Sequence, residues 1–469
     1  MSDPRTTWRN RSPGDFSIEL DEVRATPVDP AVDAATRAFR DWSHTPQEKR
    51  VELLRAARGR IDAAKDELAR GIAIETGKPL REAVGEMGAV VAKFDLTVAD
   101  AERYLADEPE MRGPHPASVR RRARGPAAVI GPFNFPIHLA HGAIVAHLVA
   151  GNTVVFKPSP LAAVVAGRYA ELMSDVFPPG VFNLVQGAAA EGRAVAVHPA
   201  VRSVVFTGSA PVGRALAQET AGDIAKDVAL ELGGKNAAIV LDDADLQKAA
   251  DAVAEAACLT AGQRCNATSR VIVDRRVAAD FVPLLMKSIE RYVPSDPLDP
   301  NTTLGPLISD AAVKRYERLT REPGEWLRPG AVTPQVADKL GHYVHPALVR
   351  WRDRRQALAS ALAREEAFAP IVEVFESDSP DDAVALHNTT PYGLTASIFT
   401  RRRDAFERIA AELEVGNVYA NLPTTFSPST LPFGGLRDSG NRHPGGRGFV
   451  RFTTDEQVVQ VAKEGFQEG

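Results

Sequence analysis

The sequence predicts an α/β fold of several domains, and three observations support this prediction. The chain has 469 residues, enough for roughly two to four domains at about 150 residues each. Its composition, 44% hydrophobic and 25% charged, is that of a globular protein and excludes disorder or collagen-like repetition over most of the length. From Ser118 onward, short β-rich runs alternate with segments of helical pattern, which is typical of βαβ units around a parallel sheet.

The region before this alternation is predicted to be helical. Residues 30–104 are rich in Ala, Arg, Glu and Leu, and one apolar stripe follows helical spacing between Leu53 and Leu68. The stripe ends before the helix-breaking sequence Gly77-Lys78-Pro79. We therefore expect two or three helices in this region.

Two α/β blocks are predicted to follow. The first has predicted strands at 127–130, 153–157, 181–185 and 203–207, and predicted helices at 138–148, 161–175 and 192–197. The second has predicted strands at 237–241 and 270–273. Its predicted helices are at 245–259, in a segment that includes Leu285, and at 313–319. The Pro- and Gly-rich segment 322–341 is expected to be an irregular connection. Residues 456–462 are expected to form an exposed terminal strand, an edge that a partner subunit often covers.

Charge and cysteine content exclude several classes of function. Lys and Arg number 56 against 61 Asp and Glu, so the net charge is −5 and gives no reason to expect nucleic acid or an anionic membrane as partner. Two cysteines exclude a disulfide scaffold and suit a reducing compartment. The polar start has no apolar signal-peptide core, and histidines, glycines and an asparagine interrupt the most apolar stretch, 137–156. We therefore expect a cytoplasmic protein.

Clustered histidines and arginines are the remaining candidates for metal or polyanion sites. His138, His141 and His147 lie close in sequence, but no carboxylate or thiol nearby completes a ligand set, so no metal is expected. The arginine runs at 120–124 and 401–403 are short and isolated, and we interpret them as solvated faces.

Several short motifs follow one another over some 300 residues, and together, in their order and spacing, they resemble the aldehyde dehydrogenase superfamily. The motifs are Gly131-Pro132-Phe133-Asn134-Phe135-Pro136, Phe206-Thr207-Gly208-Ser209 with Gly213, Leu230-Glu231-Leu232-Gly233-Gly234-Lys235, Gly262-Gln263-Arg264-Cys265, Glu366-Ala367-Phe368-Ala369-Pro370 and Pro432-Phe433-Gly434-Gly435. The resemblance covers nearly the whole chain. It implies a Rossmann-type NAD(P)-binding domain, an α/β catalytic domain, a small oligomerisation element and a homodimer or homotetramer. The implied ranges are 1–103 and 122–233 for the cofactor domain, 234–445 for the catalytic domain, and 104–121 with 446–469 for the oligomerisation element.

Cys265 is the candidate nucleophile. A thiolate attacks an aldehyde carbon to give a thiohemiacetal, and loss of hydride leaves a thioester. Only the ionised thiol is a good nucleophile, so we expect the site to favour that form. Position within Gly-Gln-Arg-Cys gives Cys265 this role by resemblance, the alternative being a small residue that fills the core. Cys258, in an apolar helical stretch, is expected to be such a filler.

Glu231 and Asn134 are the other candidate catalytic residues. Hydrolysis of a thioester needs a base, and apolar neighbours raise the pKa of a carboxyl toward neutrality. By resemblance, Glu231 is that base and favours release of a free acid. Asn134, with the backbone N–H of Cys265, fits an oxyanion stabiliser. The alternatives are a surface glutamate in an ion pair and a structural asparagine in a turn.

The resemblance also implies residues that bind NAD or NADP. Lys157 would reach the adenine ribose, and Gly208-Ser209 with Gly213 resembles a pyrophosphate turn at a helix N-terminus. Glu366 resembles the residue that holds the nicotinamide ribose, with Phe368 beside it, although Phe368 could instead be core packing. Many NAD-preferring relatives carry a glutamate three residues after the lysine. Here that residue is Pro160, so a usual barrier to NADP is missing, and Ser159 could favour NADP.

Substrate choice is the least determined feature. Local motifs resemble the branch of the family that oxidises N-succinylglutamate 5-semialdehyde in arginine catabolism, including Asn183-Leu184-Val185-Gln186-Gly187 and Ser439-Gly440-Asn441. Such a substrate carries two carboxylates, for which Arg264, Ser429 and Thr430 could supply donors. The alternatives are another semialdehyde or broad aliphatic and aromatic aldehydes. A different class, a catalytically inactive structural or binding relative, is disfavoured because all three catalytic residue types are present.

Overall fold

A short hairpin and a run of helices begin the part of the chain that the computed structural model describes, residues 6–111 and 115–462. The elements are β1 (Thr7–Arg11), β2 (Glu19–Arg24), α1 (Val28–His44), α2 (Gln47–Ala63), α3 (Lys65–Thr76) and α4 (Leu80–Tyr104). The predicted break at Gly77-Lys78-Pro79 separates α3 from α4, and Gly77 caps α3 with φ of +74°. Residues 28–104 therefore contain four helices rather than two or three. The helices are interrupted at Pro46 and at Ala64, in each case by less than one turn, and the interruption at Ala64 leaves the apolar stripe intact.

The first α/β unit is built on a five-stranded parallel sheet. After β3 (Glu108–Met111) and β4 (Ala117–Ala123) come β5 (Ala127–Ile130), α5 (His138–Val149), β6 (Val154–Lys157), α6 (Ala163–Ser174), β7 (Phe182–Leu184), α7 (Ala189–Val197), β8 (Ser203–Thr207), α8 (Ala210–Thr220) and β9 (Asp227–Glu231). The strand order is β7-β6-β5-β8-β9, and every pair is parallel. The four strands predicted in this block are confirmed. From β5 the chain adds β6 and β7 on one side and then β8 and β9 on the other, an order that is typical of a doubly wound sheet.

Alternating side chains place helices on both faces of this sheet. Val129 and Phe156 point into one apolar cluster with α5 and α6, whereas Ala128 and Val155 point into another with α7 and α8. Each fully buried Val or Phe side chain contributes about 1.5–3 kcal/mol relative to an exposed one. Continuous apolar strands of this kind are what the sequence analysis interpreted as a parallel sheet, and the predicted α/β class is confirmed.

The second α/β unit is built on a seven-stranded sheet. Its elements begin with β10 (Asn236–Val240), α9 (Leu246–Cys258), β11 (Thr268–Asp274), α10 (Arg275–Ile289), α11 (Asp310–Leu319), β12 (Glu325–Arg328), β13 (Val332–Val336), β14 (Lys339–Val344) and β15 (Ala347–Arg350). They continue with α12 (Arg354–Ala359), α13 (Ala361–Arg364), β16 (Ile371–Ser377), α14 (Pro380–His387), β17 (Tyr392–Gly393), β18 (Thr395–Phe399), α15 (Arg403–Glu412) and β19 (Asn417–Ala420). The order is β12-β15-β16-β11-β10-β18-β19, with only β12 antiparallel to its neighbour in this described sheet.

The expectation of an irregular connection at 322–341 was wrong. This segment supplies the edge strand β12 and the hairpin of β13 with β14. Pro334 lies within β13 at the register shift between Thr333 and Gln335, where a missing N–H breaks no ladder bond. Proline is normally excluded from regular strands but is tolerated at bulges, so Pro334 led to the prediction of an irregular segment where a bulged strand is present.

The end of the described chain returns to the N-terminal half. It forms β20 (Pro432–Phe433), β21 (Leu436–Arg437), β22 (Gly445–Gly446) and β23 (Thr454–Gln460), and β23 pairs antiparallel with β4 in a sheet of order β23-β4-β3. The predicted terminal strand is confirmed, and Val458 on it is 64% exposed. Within the arginine run, Arg121 pairs with Glu108 and Glu456 across this sheet.

The five-stranded sheet falls within the predicted range 122–233 and the seven-stranded sheet within 234–445, whereas β4 crosses the predicted boundary at 121 and β22 the one at 445. The domain boundaries stay a prediction. Residues 112–114 and 463–469 of the expected oligomerisation element lie outside the described residues. In the described part of the chain, every helix is too short or too polar to cross a membrane.

Candidate active site

A cleft of about 670 Å³ lies at the carboxyl ends of the parallel strands of the first sheet. Its wall includes Lys157 at the end of β6, Thr207 at the end of β8 and Glu231 at the end of β9. From the second unit, Cys265 and Glu366 complete the wall. The cleft is therefore assembled where the two units meet, and its volume is in the range of small-molecule and cofactor sites.

A strained loop presents Cys265 to this cleft. After α9, the residues Thr260, Ala261 and Gly262 have φ of +53°, +54° and +70°. Left-handed backbone costs about 1–2 kcal/mol for each residue other than glycine, so this conformation must be held by its surroundings. At Gly262 a side chain is excluded, because a Cβ there would lie 2.5 Å from the backbone of Ala369.

The thiol of Cys265 is only partly exposed, and its surroundings favour the protonated form. Burial, followed by the carboxylates of Glu231 and Glu366, raises the pKa of Cys265 well above its ordinary value. A backbone hydrogen bond from Asn266 and the charge of Arg264 oppose this shift. The expectation that the protein's own groups favour the thiolate is therefore wrong. Cys258, in contrast, is the last residue of α9 and is buried in the core, as expected of a filler.

Glu231 is a buried carboxyl that has no hydrogen-bond partner among the described residues. Its residue is 2% exposed, and neither Oε1 nor Oε2 accepts a hydrogen bond from any described residue. Burial raises the pKa of this carboxyl well above its usual value. The alternative of a surface glutamate in an ion pair is excluded by this position. An unpaired carboxyl that lines a cleft is suited to exchange protons with a molecule in that cleft.

Asn134 is fixed to the loop that carries Cys265. The residue is buried, and its Nδ2 donates a 2.8 Å hydrogen bond to the backbone carbonyl of Gln263. Gln263 is itself held, because its Oε1 accepts from the N–H of Ile308 at 2.9 Å. An amide nitrogen carries two hydrogens, so Asn134 retains a second one to donate. Asn134 lines the cleft together with Cys265.

The predicted cofactor residues around the first sheet lie at the same cleft, except for Gly213. Lys157 is buried, its Nζ donates to the carbonyl of Pro158 at 2.8 Å, and burial lowers its pKa to about 8. Ser159 lines the cleft beside it, and its Oγ accepts from the N–H of Leu161. Gly213 lies behind the wall, where a Cβ would approach Leu232 to 2.4 Å. The glycine lets α8 pack close to the segment after β9.

The start of α8 fits the phosphates of a dinucleotide. Gly208 and Ser209 line the cleft just before α8, and no side chain caps the first N–H groups of this helix. A Cβ at Gly208 would lie 2.5 Å from the ring of Phe206, so only glycine leaves this approach open. Uncapped N–H groups and the positive end of the helix dipole attract phosphate oxygens. The residues present therefore fit NAD or NADP.

Glu366 and Phe368 bring the second unit to the cofactor end of the cleft. Oε1 of Glu366 accepts from the N–H of Gly234 at 2.9 Å, and burial raises the pKa of this carboxyl to about 7. Phe368 has φ of +50°, and its ring stands edge-on to Phe133 at 5.8 Å between ring centroids. Because both residues line the cleft, Phe368 is not an interior packing residue alone.

Two arginines line the cleft that sequence reasoning missed. Arg315, on α11, has a buried Nε without a hydrogen-bond partner in residues 6–111 and 115–462. Arg193, on α7, pairs with Glu219 on α8 at 2.6 Å across the mouth. Neither lies in a recognised motif. Only the packing of α11 and α7 brings these charges to the cleft, so no sequence signal identifies them.

The predicted substrate residues are not part of the cleft wall. Arg264 donates to Oε2 of Glu82 at 2.8 Å and to the Oγ1 of Thr260 at 3.0 Å. Ser429 is half-buried and Thr430 is exposed in the loop that precedes β20. None of the three therefore lines the cleft with the catalytic and cofactor candidates, although Arg264 directly precedes Cys265.

The histidine cluster is buried in α5. Burial lowers the pKa of His138 to about 4 and that of His147 to about 3, and it also lowers the pKa of His141. Across the described ranges, no group of three His, Cys, Asp or Glu residues is arranged to hold a metal ion.

Comparison with known proteins gives one consistent result. The model of the aldehyde dehydrogenase family matches residues 2–459. The chain is 35% identical to the N-succinylglutamate 5-semialdehyde dehydrogenase of Klebsiella pneumoniae over 88% of this chain and 84% of that one. It is 34% identical to the peroxisomal aminoaldehyde dehydrogenase 1 of Pisum sativum, with coverages of 93% and 88%.

Solved structures agree with these relatives. The indole-3-acetaldehyde dehydrogenase of P. syringae, in complex with NAD+, superposes with a TM-score of 0.91 at 29% identity, over 97% of this chain and 93% of that one. The gamma-glutamyl-gamma-aminobutyraldehyde dehydrogenase of Burkholderia cenocepacia has the same TM-score, 0.91, at 30% identity, with coverages of 98% and 95%.

The unpaired carboxyl predicts a measurable effect on stability. Because the pKa of Glu231 is raised in the folded protein, folding favours the protonated group, and stability falls as pH rises above the unfolded value of about 4.3. Glu231→Gln removes this penalty. We expect its melting temperature to match that of the unsubstituted protein near pH 4 and to exceed it increasingly toward pH 8. Thermal unfolding across this pH range measures the difference, with Glu102→Gln as an exposed control. Equal melting temperatures at pH 8 would contradict the unpaired burial.

Proposed function

Because the chain belongs to the aldehyde dehydrogenase family, we propose that Cys265, Glu231 and Asn134 carry out the chemistry of an aldehyde oxidation. The protein is an NAD(P)-dependent oxidoreductase that converts an aldehyde to a carboxylic acid. The observation that carries the assignment of roles is that all three side chains line one cleft together with the predicted cofactor residues other than Gly213.

Cys265 is the proposed nucleophile. Its sulfur attacks the aldehyde carbon, and loss of hydride from the resulting thiohemiacetal leaves a thioester on the enzyme. The bound nicotinamide ring supplies the hydride acceptor. Since burial and two carboxylates favour the thiol, attack requires that the proton leave the sulfur. Glu231, in the same cleft and without a partner among the described residues, is the group proposed to receive it.

Glu231 is also proposed to act as the base in the second half-reaction, the hydrolysis of the thioester. Once the thiol proton has passed from Glu231 to solvent, its carboxylate takes a proton from water and the water oxygen attacks the thioester carbonyl. The carbon–sulfur bond then breaks to release the acid, and the sulfur recovers a proton from Glu231. A raised pKa makes Glu231 a stronger base once it is ionised, because the carboxylate lacks hydrogen bonds that would stabilise it. The same property limits the fraction of ionised enzyme at low pH.

Asn134 is proposed to stabilise the oxyanion. Negative charge develops on the former aldehyde oxygen as sulfur attacks, and a preorganised amide donor lowers that barrier by a few kcal/mol. Its bond to the carbonyl of Gln263 holds the amide two residues from the nucleophile. The remaining N–H of Asn134 and the backbone N–H of Cys265 would share the oxygen.

The cofactor is proposed to extend from the first sheet to the second unit. Lys157 and Ser159 would hold the adenine ribose, and the uncapped start of α8 would bind the pyrophosphate. Glu366 and Phe368 would hold the nicotinamide ribose. At the ribose end, Pro160 takes the place of the glutamate that repels a 2′-phosphate in many relatives. Its carbonyl accepts from Trp8 at 3.3 Å and from Asn10 at 2.8 Å, so the β1–β2 hairpin fixes this loop. We therefore propose that both NAD and NADP are used.

The proposed substrate is N-succinylglutamate 5-semialdehyde. Two observations support it: the local motifs, and relatives of that name with about one third identity. Of the three predicted donors, Ser429 is half-buried and Thr430 exposed on the loop before β20. Arg264 is engaged by Glu82 and is assigned a different role below. Another semialdehyde is the alternative substrate.

A homodimer or homotetramer is proposed from the same family pattern. Two features of the three-stranded sheet support it. Val458 on β23 is 64% exposed and Met111 on β3 is 52% exposed, so apolar side chains stand at both outer strands of the sheet. Outer strands that expose apolar side chains are often covered by another chain.

Substitution of the nucleophile and the base should separate the two half-reactions. In Cys265→Ala we expect no burst of reduced nicotinamide on mixing with aldehyde. In Glu231→Gln we expect one equivalent of reduced nicotinamide, formed more slowly because the thiol has lost its proton acceptor, followed by a steady rate about 10²–10⁴-fold lower, because deacylation lacks its base. Stopped-flow absorbance measures both. A full steady rate in Glu231→Gln would show that the base is another group, and a burst in Cys265→Ala would overturn the nucleophile assignment.

The residue at 160 should control cofactor choice. In Pro160→Glu, a carboxylate near the ribose would repel a 2′-phosphate, so we expect kcat/KM for NADP to fall at least ten-fold relative to that for NAD, or about 1.4 kcal/mol. Steady-state kinetics with both cofactors measures the ratio. Leu161→Glu, which adds the same charge one residue further along an exposed turn, is the control. An unchanged ratio in Pro160→Glu would contradict the proposed ribose position.

A panel of aldehydes tests the substrate. We expect N-succinylglutamate 5-semialdehyde to have a kcat/KM about 100-fold or more above that of propanal, since two charge-assisted hydrogen bonds contribute about 1.5–3 kcal/mol each. The double variant Ser429→Ala with Thr430→Ala should lose most of this advantage and leave propanal unchanged. If propanal were oxidised far better by the unsubstituted enzyme, the proposed substrate would be wrong.

A further inference from the structure

Helix α4 carries two buried glutamates one turn apart, and each of them bonds to one of the loops that carry the proposed catalytic residues. Glu82 and Glu86 have the (i, i+4) spacing that places two side chains on the same helix face. Their side chains are 6% and 0% exposed. Neither residue lines the cleft, so direct contact with substrate or cofactor does not explain their burial.

Glu82 holds the strained loop before Cys265. Its Oε1 accepts from the N–H of Thr260 at 3.3 Å, and its Oε2 accepts from the hydroxyl of Thr260 and from Nη2 of Arg264, both at 2.8 Å. Thr260 is the first of the left-handed residues, and Arg264 immediately precedes the nucleophile. One carboxylate therefore spans the loop from its strained start to its functional end.

Glu86 holds the loop that carries Asn134. Its Oε1 accepts from the N–H groups of Ile137 and His138, at 3.3 and 3.2 Å, where α5 begins. Its Oε2 accepts from Nζ of Lys78 at 2.5 Å, and Lys78 is wholly buried. A carboxylate at a helix N-terminus is favoured by the helix dipole, so Glu86 fixes where α5 starts and where the preceding turn ends.

Phe135 joins the two attachments. Its ring lies 3.6 Å from Nζ of Lys78 on the Glu86 side and 4.9 Å from Cζ of Arg264 on the Glu82 side. A cation over the face of an aromatic ring is attracted to the ring, and the attraction is stronger where water is excluded. Since Phe135 follows Asn134 directly, the ring couples the oxyanion loop to the residue before the nucleophile.

We propose that Glu82 and Glu86 are positioning residues, which hold Cys265 and Asn134 at a fixed separation through α4. This inference rests on the proposed function, because it assigns those two residues to one reaction. Their effect is on the chemical step: a displacement of about 1 Å in a reacting group costs on the order of 100-fold in rate. Cofactor binding uses β6, α8 and Glu366, none of which contacts this pair in the hydrogen bonds described above.

Glu82→Gln should slow the chemical step and leave cofactor affinity intact. We expect the rate of the reduced-nicotinamide burst to fall about 10- to 100-fold, because the loop loses its charge-assisted bonds. NAD+ affinity, measured by quenching of protein fluorescence, should stay within two-fold. Glu102→Gln, an exposed substitution on the same helix, is the matched control. A burst rate within two-fold of that control, or a parallel collapse of NAD+ affinity, would overturn the proposal.

Reactivity of the thiol gives a readout that a general loss of structure would not produce. Removing the charge of Glu82 leaves Arg264 without its anion, so we expect the midpoint pH for alkylation of Cys265 by iodoacetamide to fall in Glu82→Gln. Arg264→Gln should move the midpoint the opposite way. A thiol that ionises more easily and yet reacts more slowly with aldehyde identifies misplacement. An unchanged midpoint in both variants would contradict the role of the pair.

A double-mutant comparison tests Glu86. If Glu86 acts through the oxyanion loop, Glu86→Gln should reduce the burst rate at least ten-fold alone and much less in an Asn134→Ala background. Additive losses would refute this role. Should either glutamine variant fail to fold, Thr260→Ala, which removes one hydroxyl shared by Glu82 and Arg264, is judged by the same burst and affinity criteria. Retention of the burst in Cys265→Ala would instead refute the proposed function, whatever these variants show.

Discussion

The site depends on a buried carboxyl, that of Glu231, which has no hydrogen-bond partner among the described residues. Glu231 lies at the end of β9 with no hydrogen bond from the described residues, in a protein where most buried polar groups are paired. Burial of this kind destabilises the fold above the unfolded pKa, and a salt bridge would remove the penalty together with the basicity. The surrounding structure therefore has to supply stability elsewhere, and the two strongly apolar sheets provide it. The same burial extends to Cys265, whose thiol is protonated partly because of the nearby carboxylates.

The geometry of the two sheets explains why so few residues are needed to build the cleft. Parallel strands end at one edge, so Lys157, Thr207 and Glu231 converge although they are separated by many residues in sequence. The second unit approaches this edge with the Cys265 loop and with Glu366. Close approach is possible where glycine replaces a side chain, as at Gly262 against Ala369 and at Gly213 against Leu232. Motifs that look independent in the sequence are thus the two sides of one contact.

Sequence reasoning succeeded where local chemistry decides and failed where packing decides. The strands at 127–130 and 203–207 were predictable because both faces are buried and the residues are continuously apolar. The hairpin at 332–344 was not, since Pro334 occupies a bulge that only strand pairing creates. Among the candidate site residues, motifs identified Cys265 and Glu231, but the pKa of Cys265 is raised, contrary to expectation, because packing buries the thiol and brings two carboxylates near it. Arg315 reaches the cleft through the placement of α11 alone.

The α4 glutamates illustrate a kind of functional information that a sequence hides. In the sequence, Glu82 and Glu86 resemble ordinary charged residues of an amphipathic helix, for which a solvated face is the usual interpretation. Their burial has a cost of several kcal/mol per ion unless hydrogen bonds and opposite charges offset it. Each of them accepts three such bonds, and the donors belong to Lys78, Arg264 and the backbone of the two catalytic loops. If stability alone were at issue, apolar residues of similar size would serve as well or better. A charged pair at this place instead has the directionality that apolar packing lacks, and directionality is what a left-handed loop beside a nucleophile requires.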